Sequence, residues 1–315
     1  MATRLTHSII VLIVSIPLVC TAASKNGFSL NNALIPAEEI VSGGPQRDGI
    51  PSLDDPQFVA ADRAGFLQDR DRVLGISLNG VARAYPIRIL NYHEIVNDVL
   101  GGKPVVITYC PLCGSGMAFE ATYAGRRFEF GVSGLLYNSD VLMYDRQTGS
   151  LWSQLKTQAV TGRMRGTRLT SLALSHTTWA DWKRRHPESE VLSTDTGYLR
   201  SYRADPYPNY GRSGQLYFPV AESSKEYRRK ELVMGLELDE HFKAYPFKEL
   251  EQGPARFTDE FQGKRIEVIF DAQNQTARIV DANAVEIPTT LAFWFAWYAF
   301  HPDTKVHRCC TEGGI

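Results

Sequence analysis

The chain has 315 residues, of which 43% are hydrophobic and 22% charged. That is ample for a sizeable core and about twice the length of one typical domain. Lys+Arg 34 against Asp+Glu 35 leaves a formal net charge of -1, which excludes a polybasic nucleic-acid binder or an acidic disordered tail. Five Cys are too few for a disulfide scaffold at this length, and 25 Gly with 16 Pro make the chain turn-rich without low complexity.

The N-terminus reads as an address. Arg4 and His7 precede an apolar run from Ile9 to Val19 and a small-residue stretch from Cys20 to Ser24. A basic start, a short apolar centre and a small-residue exit describe a secretory signal peptide, too short for a membrane span. Cys20 would carry lipid in a lipoprotein, but the bulky Val19 before it argues against that. The expected product is periplasmic or extracellular. The expected organisation is a signal peptide over 1–23, an extended segment over 24–60, a first β-rich unit over 61–215, a second related unit over 216–304 and a variable tail over 305–315.

Beyond the address, short runs rich in β-branched and aromatic residues lie between Gly, Asn, Asp and Pro. Residues 104–109 and 128–132 are examples, and both are predicted strands. Helices are predicted from about Ile87 to Val99 and from about Thr178 through Trp182, the second capped by Thr177 or Thr178. The run from Ala292 to Phe300 fits a buried strand or a short core helix. No later segment is a stable membrane span. The fold class is α+β, predominantly β, with a few short helices.

Internal similarity suggests two related units. Val73-Leu74-Gly75-Ile76 resembles Val233-Met234-Gly235-Leu236, and Ala84-Tyr85-Pro86 recurs as Ala244-Tyr245-Pro246, both 160 residues on. Gly102-Lys103 matches Gly263-Lys264 at an offset of 161. The first copy continues its strand into Cys110-Pro111-Leu112-Cys113-Gly114, the second into Asp271-Ala272-Gln273. If the copies are related, the scaffold does not need the cysteines.

Cys110 and Cys113 form a Cys-x-x-Cys just past a predicted strand. Such a turn can close a disulfide, run thiol exchange or present two thiolates to one soft metal ion. Downstream, two close glycines lead into an alternating strand and, through a Gly125-centred turn, a next strand from about Arg127, which predicts a hairpin and not the helix N-terminus a thioredoxin-type site needs. Gly114 also stands where covalent haem attachment requires His. His93 lies upstream as a candidate third ligand, with Glu94 or Asn97 to orient it, or else as a satisfied helix-end histidine.

Around these residues the chain resembles a family of secreted prokaryotic proteins grouped as domain of unknown function 3179. The resemblance rests on His93-Glu94-Ile95-Val96-Asn97-Asp98, Thr108-Tyr109-Cys110-Pro111-Leu112-Cys113-Gly114 and Ser133-Gly134-Leu135-Leu136-Tyr137-Asn138-Ser139-Asp140. It continues through Met143-Tyr144-Asp145-Arg146-Gln147-Thr148, Ser150-Leu151-Trp152-Ser153-Gln154, Phe293-Trp294-Phe295-Ala296-Trp297 and His301-Pro302-Asp303-Thr304. It implies an exported, full-length domain and no mechanism.

Other candidates are weaker. Asp140, Asp145, Arg146, Trp152 and Gln154 line a pocket beside the sulfurs or form a hairpin in which Asp145 and Arg146 pair and Gly149 turns. Met117 and Met143 are thioether ligands or core filler. His301 is a fourth ligand or a backbone-bonded residue before Pro302. Ser133 lacks the spacing of a nucleophile elbow. Tyr202, Tyr207 and Tyr210 fit packing or a binding edge, and Cys309-Cys310 are too close for easy bridging.

The preferred expectation is an exported metal-binding protein with copper or zinc on Cys110, Cys113, His93 and His301 or a Met. The rivals are a thiol–disulfide oxidoreductase and a non-enzymatic module with a structural disulfide. No nucleic acid is expected as a partner. Substrate and oligomeric state are left open.

Overall fold

Residues 24–309 are described by the computed structural model, and they are mostly β: 41% of the structure is strand and 12% helix. Residues 1–23, expected as a signal peptide, and residues 310–315, which include Cys310, lie outside the described residues. Among the described residues, no helix is long and apolar enough to cross a membrane.

A hairpin opens the first set of elements, β1 (Arg72–Leu78) with β2 (Val81–Pro86). Its turn is Asn79-Gly80, both at positive φ, the backbone that a tight hairpin demands. Helix α1 (Ile87–His93) follows, then β3 (Ile95–Leu100), β4 (Lys103–Cys110) and β5 (Ser115–Glu120). The helix expected as far as Val99 therefore ends six residues early. Glu94 swings to φ 58, and Ile95, Val96 and Val99 are β-branched residues that fit a pleated surface, so the chain pairs with β4 instead.

A second hairpin, β6 (Phe130–Tyr137) and β7 (Asp140–Asp145), turns at Asn138-Ser139 and is extended by β8 (Leu151–Ser153). Strand β9 (Ser175–Thr178) leads into α2 (Trp179–Arg185), whose N-cap is Thr178, accepting from the Asp181 N–H at 3.2 Å. Strand β10 (Glu190–Leu192) closes this half.

The second half runs β11 (Leu232–Leu238), β12 (His241–Pro246), α3 (Phe247–Leu250), β13 (Arg256–Phe261), β14 (Lys264–Asp271) and β15 (Thr276–Val280). Strand β16 (Thr289–Phe293), α4 (Trp294–Phe300) and β17 (Lys305–Val306) complete it. The aromatic run thus splits into a strand end and a core helix.

Matching positions hold matching contacts. Gly75 opposes Ala84 as Gly235 opposes Ala244, and Ile95 opposes Thr108 as Arg256 opposes Ile269. Asp98 accepts from Arg83 at 2.6 Å and from the Tyr85 hydroxyl at 2.5 Å. Asp259 accepts from Lys243 at 2.6 Å and from the Tyr245 hydroxyl at 2.8 Å. Each half also needs one bare backbone position, where an indole lies flat on the strand. A Cβ at Gly75 would come within 2.2 Å of Trp182, and one at Gly235 within 2.1 Å of Trp297.

The sheets tie the halves together. One path runs β17-β12-β11-β16-β5-β4-β3, joined across the halves where Leu291 opposes Gly116. The cysteine-bearing hairpin β4–β5 therefore sits inside a sheet built from both halves.

Candidate functional site

Strand β4 ends at Cys110, four residues reverse the chain, and β5 begins at Ser115, paired with Cys110. Gly114 takes φ +62 with the Phe293 ring 3.0 Å from where a Cβ would stand, so glycine is required there. The tight turn expected for the cysteines is observed, and the hairpin expected at Gly125 forms further on, where Thr122 and Tyr123 pair with Arg127 and Arg126. Gln154 fixes its base, donating to Thr108 Oγ1 at 2.8 Å and accepting from Ser115 Oγ at 2.7 Å.

Both thiols point at one carbonyl. Cys113 Sγ lies 3.4 Å and Cys110 Sγ 3.8 Å from Ser139 O, and the sulfurs are not bonded to each other. The carbonyl belongs to the β6–β7 turn, where Asn138 and Ser139 both adopt positive φ. The next residue is Asp140. One of its oxygens and the two sulfurs lie within 4.8 Å of one another, and all three side chains are buried. Asp140 Oδ2 accepts from the Leu155 N–H at 3.0 Å, while Oδ1 is buried without a partner among the described residues. An orphaned buried oxygen is costly unless something else binds it.

Four acids share this interior. Burial pushes both thiols up, Cys113 well above its ordinary value. Burial pushes the Asp140 carboxyl up to about 7, despite the backbone N–H groups aimed at it. Burial, then Asp140, pushes Glu94 up to about 8. Among the described residues neither carboxyl has an ion-pair partner. Buried acids without cations stay protonated or bind a metal ion.

The chain between β10 and β11, residues 193–231, holds a single turn of 3₁₀ helix, Tyr210–Arg212. So long an irregular connection calls for a functional reason. It straps over the sulfurs: Tyr210 is buried in the same apolar cluster as Cys110, Leu112 and Cys113. Lys230 holds the strap in place, donating to Tyr210 O at 2.6 Å and Gln215 O at 2.7 Å. Ser139 Oγ donates to Phe218 O at 3.0 Å.

His93, expected as third ligand, serves this strap instead. Its Nδ1 faces Pro51 O at 2.8 Å, so Nδ1 carries the proton and Nε2 accepts from the Tyr202 hydroxyl at 2.6 Å. With both nitrogens engaged, no lone pair is free for an ion. Asp140 stands where the imidazole was expected. His301, the expected fourth ligand, caps α4 and stacks on Phe242 at 3.8 Å, lining a separate cavity of about 310 Å³. Burial, then Lys156 and Arg168, holds its ring neutral, with a pKa lowered to about 3. The only ligand-type group among the described residues is Cys110, Cys113 and Asp140.

Met117 and Met143 pack in the apolar cluster that holds the cysteines. Asp145 and Arg146 do not pair as expected. Asp145 accepts from Thr148 and from Trp152 Nε1 at 2.9 Å, and Arg146 reaches Asp48 and Asp54. The Cys309 N–H donates to Glu249, away from the site.

Fold and site together define a mostly β protein of several sheets with a buried thiol–carboxylate cluster under an aromatic strap. The chain belongs to the family described as Protein of unknown function (DUF3179), which matches residues 47–287. No curated protein and no solved structure matches it.

Proposed function

We propose that the protein is an exported metal-binding protein that holds a zinc-class divalent ion on Cys110, Cys113 and Asp140. The observation that carries this is the buried, unpartnered Asp140 Oδ1 beside two unbonded thiols. Two sulfurs and an oxygen suit borderline Zn²⁺. A Cu(I) site favours thiolates and thioethers, so the carboxylate weighs against copper. Three protein ligands leave a fourth position for water or a small molecule, the pattern of a working rather than a closed structural site.

The thiol-exchange reading is disfavoured by the chemistry. An attacking thiol needs a lowered pKa, and burial raises both here. The structural-disulfide reading is disfavoured by the second half, where Asp271 and Asn274 stand at the positions of Cys110 and Cys113. There Asp271 accepts from Asn274 N at 3.0 Å and Asn274 Nδ2 at 2.7 Å, holding the same four-residue turn without sulfur. This match, with the shared registers, supports descent of both halves from one duplicated unit.

Zinc titration of the full-length protein against a chromophoric chelator tests the ligand set. Cys110→Ser and Asp140→Asn should lose most of the affinity, and His93→Gln should keep it. Equal affinity in all four proteins would remove the proposal.

A further inference from the structure

A cleft of about 220 Å³ opens on the site. Its walls are Val132 and Leu136 from β6, Leu112 from the cysteine turn and Ile50 from the N-terminal segment, with Tyr207 and Tyr217 from the strap. Two polar side chains, Glu94 and Cys110, stand at its floor. Glu94 is only 9% exposed, and no described residue hydrogen-bonds its carboxyl.

The lining decides what fits. Apolar walls reward burial of carbon and penalise any charge that leaves water, at a cost of several kcal/mol for an unpaired ion. A cavity of about 150 Å³ lined by Leu, Ile and Phe accepts benzene, so this one has room for a ring and a small head group. The unpartnered carboxyl at the floor requires a hydrogen-bonding head, since leaving it unmatched is costly. Ligand pockets generally have this form, apolar walls with a few convergent polar groups.

We propose that this cleft binds a small uncharged molecule, apolar along most of its length, with one hydrogen-bonding head directed at Glu94 and Cys110. The site goes beyond the ion site, sharing Cys110 with it, and does not need the ion. The strap supplies Tyr207 and Tyr217 as its outer wall, and the His93–Tyr202 and Lys230 contacts hold that wall in place.

Three isosteric probes separate the possibilities: benzamide, benzoate and benzamidinium. Their dissociation constants for the full-length protein, with and without added zinc, are measured by ligand-observed NMR or calorimetry. Without zinc, benzamide should bind at least about tenfold more tightly than either ion. Tyr217→Ala, at a side chain 56% exposed, should weaken benzamide severalfold without harming folding. Val132→Phe should fill the cleft and abolish binding. If that variant fails to fold, the Tyr217 result decides. Benzoate or benzamidinium binding as tightly as benzamide, or benzamide indifferent to Tyr217→Ala, overturns the proposal. Benzamide binding without zinc affinity would sink only the ion. Zinc binding without benzamide would sink only the cleft.

Discussion

Two four-residue turns, 161 positions apart, join strands of matching register, Cys110 opposing Ser115 and Asp271 opposing Thr276, and hold their shape by different chemistry. In the second half, Asp271 bridges to Asn274 through backbone and side chain, and Arg72 and Thr178 from the first half clasp the loop by Asn274 O and Asn274 Oδ1. At the cysteine turn, both thiols face the Ser139 carbonyl at 3.4 and 3.8 Å, and the Asp140 carboxyl lies within 4.8 Å of both sulfurs. The scaffold solves its turn with an Asx-type bridge where nothing else is asked of it. At the cysteine turn two sulfurs stand in place of that bridge.

The comparison breaks most sharply at the sulfurs. Cys110→Ser should lower zinc affinity at least about a hundredfold, whereas Asp271→Ala should leave it unchanged, both measured by chelator competition. The stability results should cross over. Asp271→Ala should destabilise by about 1–2 kcal/mol in urea unfolding, because two bridging hydrogen bonds go. If Asp271→Ala weakened zinc binding as much as Cys110→Ser, the two loops would not have separate tasks.

The glycine–indole contacts should be costly in both halves. Gly75→Ala and Gly235→Ala each force a Cβ into an indole ring, and each should destabilise by about 1–3 kcal/mol. A large cost in one half and none in the other would contradict the structural match. The tyrosine–aspartate pairs are expected to respond alike but less strongly. Tyr85→Phe and Tyr245→Phe should each cost about 1–2 kcal/mol, since each leaves a carboxylate short of a donor.

The pH responses of Asp259 and Glu94 differ in sign. Burial would raise Asp259, but Lys243 and Tyr245 outweigh it and hold the carboxyl below its ordinary 3.8. Its contribution is present above that value and is lost as pH falls through the lowered folded value. Glu94 behaves oppositely: burial and Asp140 raise it to about 8, so metal-free stability falls as pH rises from about 4.5 to 8. Asp259→Asn should flatten the acid limb of the stability profile, and Glu94→Gln the neutral-to-basic one. An unchanged basic limb in Glu94→Gln would contradict the burial of that carboxyl.

Local features were legible in the sequence. The Cys-x-x-Cys spacing placed the pair on a tight turn past a strand, Gly125 marked the next hairpin, and the Thr178 hydroxyl does cap α2. The 160-residue echo pointed to positions that occupy equivalent registers. The Cys110–Cys113–Asp140 cluster was not legible, because it forms between strands distant in sequence. Asp140 reaches the sulfurs only through the positive-φ pair Asn138-Ser139, a turn signal that marked a hairpin but not which sheet it would face. His93 misled by proximity along the chain: one left-handed residue, Glu94, sends β3 beside the cysteine strand and leaves the imidazole facing Pro51 and Tyr202. The helix expected through Val99 failed for the same reason, since Ile95, Val96 and Val99 satisfy helical spacing as well as strand alternation.

X-ray absorption at the zinc edge of the full-length, zinc-loaded protein tests the ion site most directly. Two sulfur scatterers at about 2.3 Å, with oxygen or nitrogen near 2.0 Å, are the predicted first coordination sphere. A sphere of nitrogen and oxygen alone, or the same spectrum from Cys110→Ser, would place the ion elsewhere and contradict the account.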